Sequence, residues 1–148
     1  FATSNFRAPL PWHGTAFVMG NVVLQWPIGW AGLVTEVLAR VEEQQLPVRW
    51  IQIKQKYGEL RMYYEGGPLH LDITNGDGSR STLLVDAPSD WTQAVNDLID
   101  KAKERASRTC EPCGSTGVRL AINDRYYCVL CTSCASSMSR VSWVLRSR

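Results

Sequence analysis

The sequence predicts an α+β fold, in which an antiparallel sheet of about four strands packs with two helices and a small cysteine-bearing module follows. Three observations carry this. Apolar residues recur with helical spacing from Trp30, runs rich in β-branched and aromatic residues alternate between residues 48 and 85, and four of the five cysteines form two close pairs after residue 109. With 148 residues, 45% of them hydrophobic, the chain can bury one core of ordinary domain size. That leaves room only for a second unit too small to fold on apolar burial alone.

Residues 1–28 form an N-terminal segment whose stretch Ala16 to Trp26 reads as a strand interrupted at Gly20 and Asn21. Trp30, Leu33, Val34, Val37, Leu38 and Val41 then fall on one face of a helix, with Glu36, Arg40 and Glu43 on the other. This helix must end before Pro47. Val48 to Lys56 and Leu60 to Tyr64 read as a hairpin turning through Tyr57-Gly58-Glu59. Leu69, Leu71 and Ile73 alternate with His70 and Asp72, and Asn75-Gly76-Asp77-Gly78 marks a turn before Ser81 to Val85. These four runs are the expected consecutive antiparallel strands. Ser89 or Asp90 is placed to cap a second helix, with Gln93 as the reciprocal partner and Trp91, Val95, Leu98 and Ala102 as its apolar stripe. The helix runs into Cys110 with no flexible linker, so the α+β domain (29–109) is expected to carry the next module docked on its helix end.

Cys110-x2-Cys113 and Cys131-x2-Cys134 stand 17 residues apart, a spacing that reads as a four-cysteine structural zinc site. Two residues between ligands let both sulfurs face one side of a tight turn, and Gly114 suits the positive φ such a knuckle needs. Val118 to Ile122 and Arg125 to Val129 offer a hairpin across Asn123-Asp124, completing a zinc-ribbon-like module over 110–135. Disulfides are disfavoured by the odd count of five and the absence of a secretory feature, and a redox dithiol would leave the second pair unexplained. Cys128 leaves a second register open, Cys128 with Cys131, but it lies in the apolar string Tyr126 to Leu130 and reads as a small buried side chain. Four thiolates close the coordination shell, so one zinc ion is expected to serve folding rather than catalysis, contributing roughly 10–16 kcal/mol. The tail, 136–148, is basic yet carries Met138, Val141, Trp143, Val144 and Leu145, which read as cover for the ribbon or sheet, with a short docking helix as one form.

Ile53-Lys54-Gln55-Lys56-Tyr57-Gly58-Glu59-Leu60-Arg61-Met62-Tyr63, preceded by Gly29-Trp30, and Cys110-Glu111-Pro112-Cys113-Gly114 with Gly117, Arg119 and Leu130-Cys131 together resemble a family of small bacterial and phage proteins. Those proteins share a lysine-x-lysine-aromatic-glycine-x-leucine-arginine core and a later cysteine knuckle. The resemblance covers about residues 29 to 135 and makes 68–88 an inserted hairpin. Cys134 stands where the family often has histidine as last ligand, which favours the Cys131/Cys134 register, and Met62 replaces the usual aromatic. It implies a phage or mobile-element setting and no established activity.

The charge excludes less than the motifs do. Sixteen basic and 14 acidic residues give +2, which four thiolates and one zinc would bring to roughly zero, far from a dedicated nucleic-acid binder. No apolar run is long enough to span a membrane and residues 1 to 11 lack signal-peptide order, so a cytoplasmic protein is expected, in the bacterial host if phage-encoded. No phosphate loop, nucleophile elbow or catalytic carboxylate pair is present. His13 and His70 are isolated in sequence. The expected function is therefore a non-enzymatic, zinc-stabilised module that binds a macromolecule, foremost a host protein whose system it could inhibit. Lys54, Lys56, Tyr57, Arg61 and Tyr63 are the candidate contact residues, and their basic and aromatic interleaving also suits nucleic acid, the alternative partner.

Overall fold

The computed structural model of the chain describes residues 11–14, 16–66, 69–85 and 90–145. Its chain order opens with β1 (Phe17–Met19) and β2 (Val22–Leu24), which pair antiparallel. Ala16 to Trp26 is thus a hairpin rather than one interrupted strand, because Gly20, at φ 58°, turns the chain. A single 3-10 turn, Ile28–Trp30, leads into α1 (Ala31–Glu43). Leu33, Val34, Val37 and Val41 of α1 are buried with Trp30, the stripe its spacing predicts.

β3 (Val48–Lys56) and β4 (Glu59–Gly66) form the first expected hairpin around Tyr57 and Gly58, both left-handed at φ 56° and 78°, the twist a two-residue hairpin turn requires. Trp50 lies opposite Tyr64 and Gln52 opposite Tyr63, so Ile51 is an extra, bulged residue. The bulge reverses the alternation, which lets Val48 and Trp50 join Ile53 in packing on the core although their spacing is odd.

The four-stranded sheet has the order β1-β2-β3-β4, and β2 runs parallel to β3. This corrects the expectation of four consecutive antiparallel strands. The α1 segment between β2 and β3 is a crossover, and a crossover returns the chain parallel. The second hairpin, β5 (Leu69–Thr74) with β6 (Arg80–Val85), is a separate two-stranded sheet.

α2 (Trp91–Ala106) buries Val95, Ile99, Ala102 and Ala106 against the same core as α1. Its expected cap differs. Asp90 precedes it in a left-handed conformation, φ 62°, with no side-chain capping bond, and Gln93 bonds Asp97 instead; Ser89 lies outside the described residues. β7 (Val118–Asn123) and β8 (Tyr126–Cys131) pair across Asp124 and Arg125, one residue later than predicted, and α3 (Thr132–Ser136) follows. Among the described residues after Ser136 the tail forms a strand rather than a helix: β9 (Val141–Trp143) pairs with β7, making the ribbon three-stranded in the order β8-β7-β9. Met138, Val141 and Trp143 pack there on a second core of Trp12, Ala121, Cys128, Leu130 and Ala135.

Candidate metal centre

The helix α2 ends at Ala106, and the chain turns at once into the first knuckle. Gly114 N–H donates to the Cys110 carbonyl at 2.8 Å and Cys110 N–H to the Ser115 carbonyl at 2.8 Å, a turn that Gly114 completes at φ 81°. The second pair joins two elements, since Cys131 ends β8 and Cys134 lies in the first turn of α3. The sulfurs of Cys110, Cys113, Cys131 and Cys134 all lie within 4.8 Å of one another. Sulfurs arranged tetrahedrally at about 2.3 Å from a zinc ion would stand about 3.8 Å apart, and Cys113 and Cys131 are 3.7 Å apart. Backbone amides already point at the sulfurs: Cys131 N–H donates to Cys110 Sγ at 3.3 Å and Cys134 N–H to Cys131 Sγ at 3.4 Å. The four cysteines can therefore bind one metal ion, in a geometry compatible with zinc.

The four thiols divide in how readily they lose a proton. Hydrogen bonding to Ser115, then to the Cys134 amide, pulls the Cys131 thiol down to about 6. Burial, then its neighbouring sulfurs, pushes the Cys134 thiol upward. Four thiols so close cannot all ionise without a positive charge among them. Cys128 differs. Burial first, and the charge of Glu111 second, push its thiol up to about 12. It stands three residues from Cys131 on one strand, so the two side chains face opposite sides of β8. A knuckle cannot form from that pair while the strand persists.

The largest surprise is Glu111, fully buried between two of the cysteines. Its carboxylate accepts from Trp12 Nε1 at 3.1 Å, from Gln55 Nε2 at 3.0 Å and from Val129 N–H at 2.7 Å. Its backbone continues the pattern, accepting from Gly29 N–H at 2.7 Å and donating to the Val129 carbonyl at 3.0 Å. One residue thus ties the knuckle to the N-terminal segment, to β3, to the start of α1 and to β8. A Cβ on Gly29 would stand 2.1 Å from the Cys110 carbonyl oxygen, 2.5 Å from that of Glu111 and 2.6 Å from Gly114 N, so only glycine fits there. Trp30 Nε1 adds a bond to the Thr109 carbonyl at 2.8 Å. Sequence reasoning passed over Glu111. A signal was present, because a further negative charge inside a four-thiolate knuckle needs buried donors to be tolerated.

His13, isolated in sequence, comes within 3.8 Å of Glu111 through its Nε2, which is buried without a hydrogen-bond partner. The His70 side chain lies outside the described residues.

The candidate contact residues stand on the β3–β4 hairpin. Lys54 lies opposite Arg61, Gln52 opposite Tyr63 and Lys56 opposite Glu59. Tyr57 at the turn meets Tyr127 of β8 edge-on, ring centroids 6.2 Å apart. Among the described residues, no helix is long and apolar enough to cross a membrane. No protein-family model, no curated protein and no solved structure matches the chain.

Proposed function

We propose that this chain is a non-enzymatic binding module, stabilised by one zinc ion on Cys110, Cys113, Cys131 and Cys134, that engages a protein partner through the open edge of its four-stranded sheet. Sulfur spacing and the amide bonds to sulfur support zinc. A shell of four thiolates leaves no open position for a substrate, which supports a structural role.

The observation that carries the partner reading is β1. Among the described residues it is the edge strand of its sheet, and Phe17, Val18 and Met19 are 51%, 39% and 67% exposed. β1 is short, three residues, but it carries neither the charge nor the proline that also blunt such edges. An extended segment of a partner could add to this edge by main-chain hydrogen bonds, with apolar side chains supplying specificity. The resemblance of the two motifs to phage and bacterial proteins supports a host protein, met in the bacterial cytoplasm, as that partner.

The test is capture from host lysate on immobilised zinc-loaded chain, with nuclease-treated and untreated arms, followed by titration of the recovered protein. The expected result is a nuclease-resistant partner that binds the Phe17→Lys/Met19→Lys variant at least tenfold more weakly while circular dichroism and zinc content stay unchanged. Equal binding by that variant, or recovery of nucleic acid alone, would overturn the reading.

A further inference from the structure

The outer face of β3 and β4 is independent of the β1 edge and has a different chemistry. Directly opposite residues of an antiparallel pair share a face. Ile53 and Met62, an opposed pair, are buried, so the neighbouring pairs Lys54 with Arg61, Gln52 with Tyr63 and Lys56 with Glu59 face outward. These three pairs bring three cations and one acid to the face, and the adjoining pair Arg49 with Glu65 adds one of each. Both acids are engaged, Glu59 by Arg61 Nη2 at 3.2 Å and Glu65 by Arg49 Nη2 at 3.1 Å.

Aromatic rings border the cations. Tyr57, Tyr63 and Tyr127 are 54%, 45% and 38% exposed, an arrangement that costs burial unless something covers the rings. Lys56 Nζ sits 5.4 Å from the Tyr57 ring centroid, and Tyr57 leans on Tyr127, so the surface continues from the sheet onto the ribbon. Gly58 allows this approach, because a Cβ there would stand 2.6 Å from Leu120 Cδ1. Tyr63 and the turn are separated by four strand positions, roughly 13 Å at about 3.3 Å per residue. The positive field is visible on Tyr63, whose phenol is pulled below its ordinary value first by the hydrogen bond with Arg61 and then, against burial, by the charges of Arg61, Lys54 and Lys56.

We propose that this face, built from Lys54, Lys56, Tyr57, Arg61, Tyr63 and Tyr127, binds single-stranded nucleic acid. Unpaired bases stack on the tyrosines while backbone phosphates meet the three cations. A duplex cannot offer its base faces to such rings, and an acidic peptide would use the cations without needing the rings. This face carries both.

The experiment is fluorescence anisotropy of a labelled oligothymidylate of about 15 nucleotides, titrated with the zinc-loaded full chain. Three phosphate contacts predict a slope of about −2 in log affinity against log salt between about 50 and 200 mM. Tyr57→Asn keeps a residue suited to the left-handed turn while removing the ring, and Tyr63→Thr keeps a strand-forming residue. Each should weaken binding about fivefold or more. Lys54→Gln with Arg61→Gln should weaken binding and flatten the slope by about 1.4, whereas Lys101→Gln on α2 should leave it unchanged. Absence of binding at about 50 mM salt, unchanged affinity in both ring variants, or equal affinity for a duplex or for polyglutamate would each overturn the proposal. Because β1 is untouched by these variants, failure here and failure of the protein-partner reading are separate results.

Discussion

Glu111 holds a buried carboxylate by satisfying it with donors from three separate stretches of chain: the Trp12 indole, the Gln55 amide and the Val129 backbone. Removing the acceptor leaves the Trp12 indole and the Val129 amide buried and unpaired, whereas Gln55 keeps its bond to the Tyr127 carbonyl at 2.6 Å, and each orphan costs about 1–3 kcal/mol. Glu111→Ala should therefore destabilise the zinc-loaded protein by about 4 kcal/mol or more, read from urea unfolding monitored by tryptophan fluorescence. Gly29→Ala attacks the same joint from the other side, forcing a methyl against two carbonyls and an amide nitrogen. A loss of about 3 kcal/mol is expected, because backbone atoms cannot yield as a flexible side chain does. Cys128 supplies the contrasting case. Between about 9 and about 12 the unfolded chain has released this proton and the folded chain has not, so its contribution to stability falls as pH rises through that window. Below it the folded thiol stays protonated. Cys128 should resist alkylation at neutral pH in the folded protein, and Cys128→Ala should retain one zinc per chain by elemental analysis, whereas Cys134→Ser should lose it.

Among the elements, the β3–β4 hairpin depends on chemistry that is local and on a fit that is not. Tyr57 and Gly58 take the paired left-handed conformations of a tight turn, which glycine adopts freely. Gly58 also lies under Leu120 of β7. Gly58→Ala should cost about 2 kcal/mol in thermal or urea unfolding, since it combines backbone strain with a clash that Leu120 can only partly relieve. β9 shows how an apolar tail acquires its form from its neighbour. Val141 and Trp143 alternate inward only once β7 offers an edge, and Arg119 of β7 lies over the Trp143 ring, 4.8 Å from its centroid.

For the molecule as a whole, the knuckle joins two cores. The larger core lies between α1, α2 and the sheet, and the smaller one holds Trp12 against the ribbon; Val129 belongs to the first while Cys128 and Leu130 belong to the second. A structural zinc contributes about 10–16 kcal/mol to the unit that holds it, which rivals the whole stability of a domain, about 5–15 kcal/mol. Removing zinc with a chelator should therefore do more than melt the ribbon. Release of the knuckle from Gly29 and Glu111 should lower the unfolding temperature of the α1–α2 core in the same transition, followed by far-ultraviolet circular dichroism, with recovery on adding zinc back. Two well-separated transitions, the upper one unaffected by chelator, would show the cores to be uncoupled.

The sequence alone determined whatever depends on neighbours a few residues apart. Helical periodicity marked α1 and half the buried stripe of α2, Val95 and Ala102 but not Ile99 or Ala106, strand composition marked β3 to β8, and cysteine spacing marked the four sulfurs that converge, because a two-residue knuckle is local chemistry. Only the tertiary structure decided what depends on distant partners. It placed β2 parallel to β3, set the second hairpin in its own sheet, turned the tail into β9, and left Asp90 without the capping bond its position suggested. It also gave Glu111 its meaning, since the Trp12 and Gln55 donors stand 99 and 56 residues away. Long-range packing selects among local options of similar energy, and no pattern of nearest neighbours records which option the rest of the chain will meet.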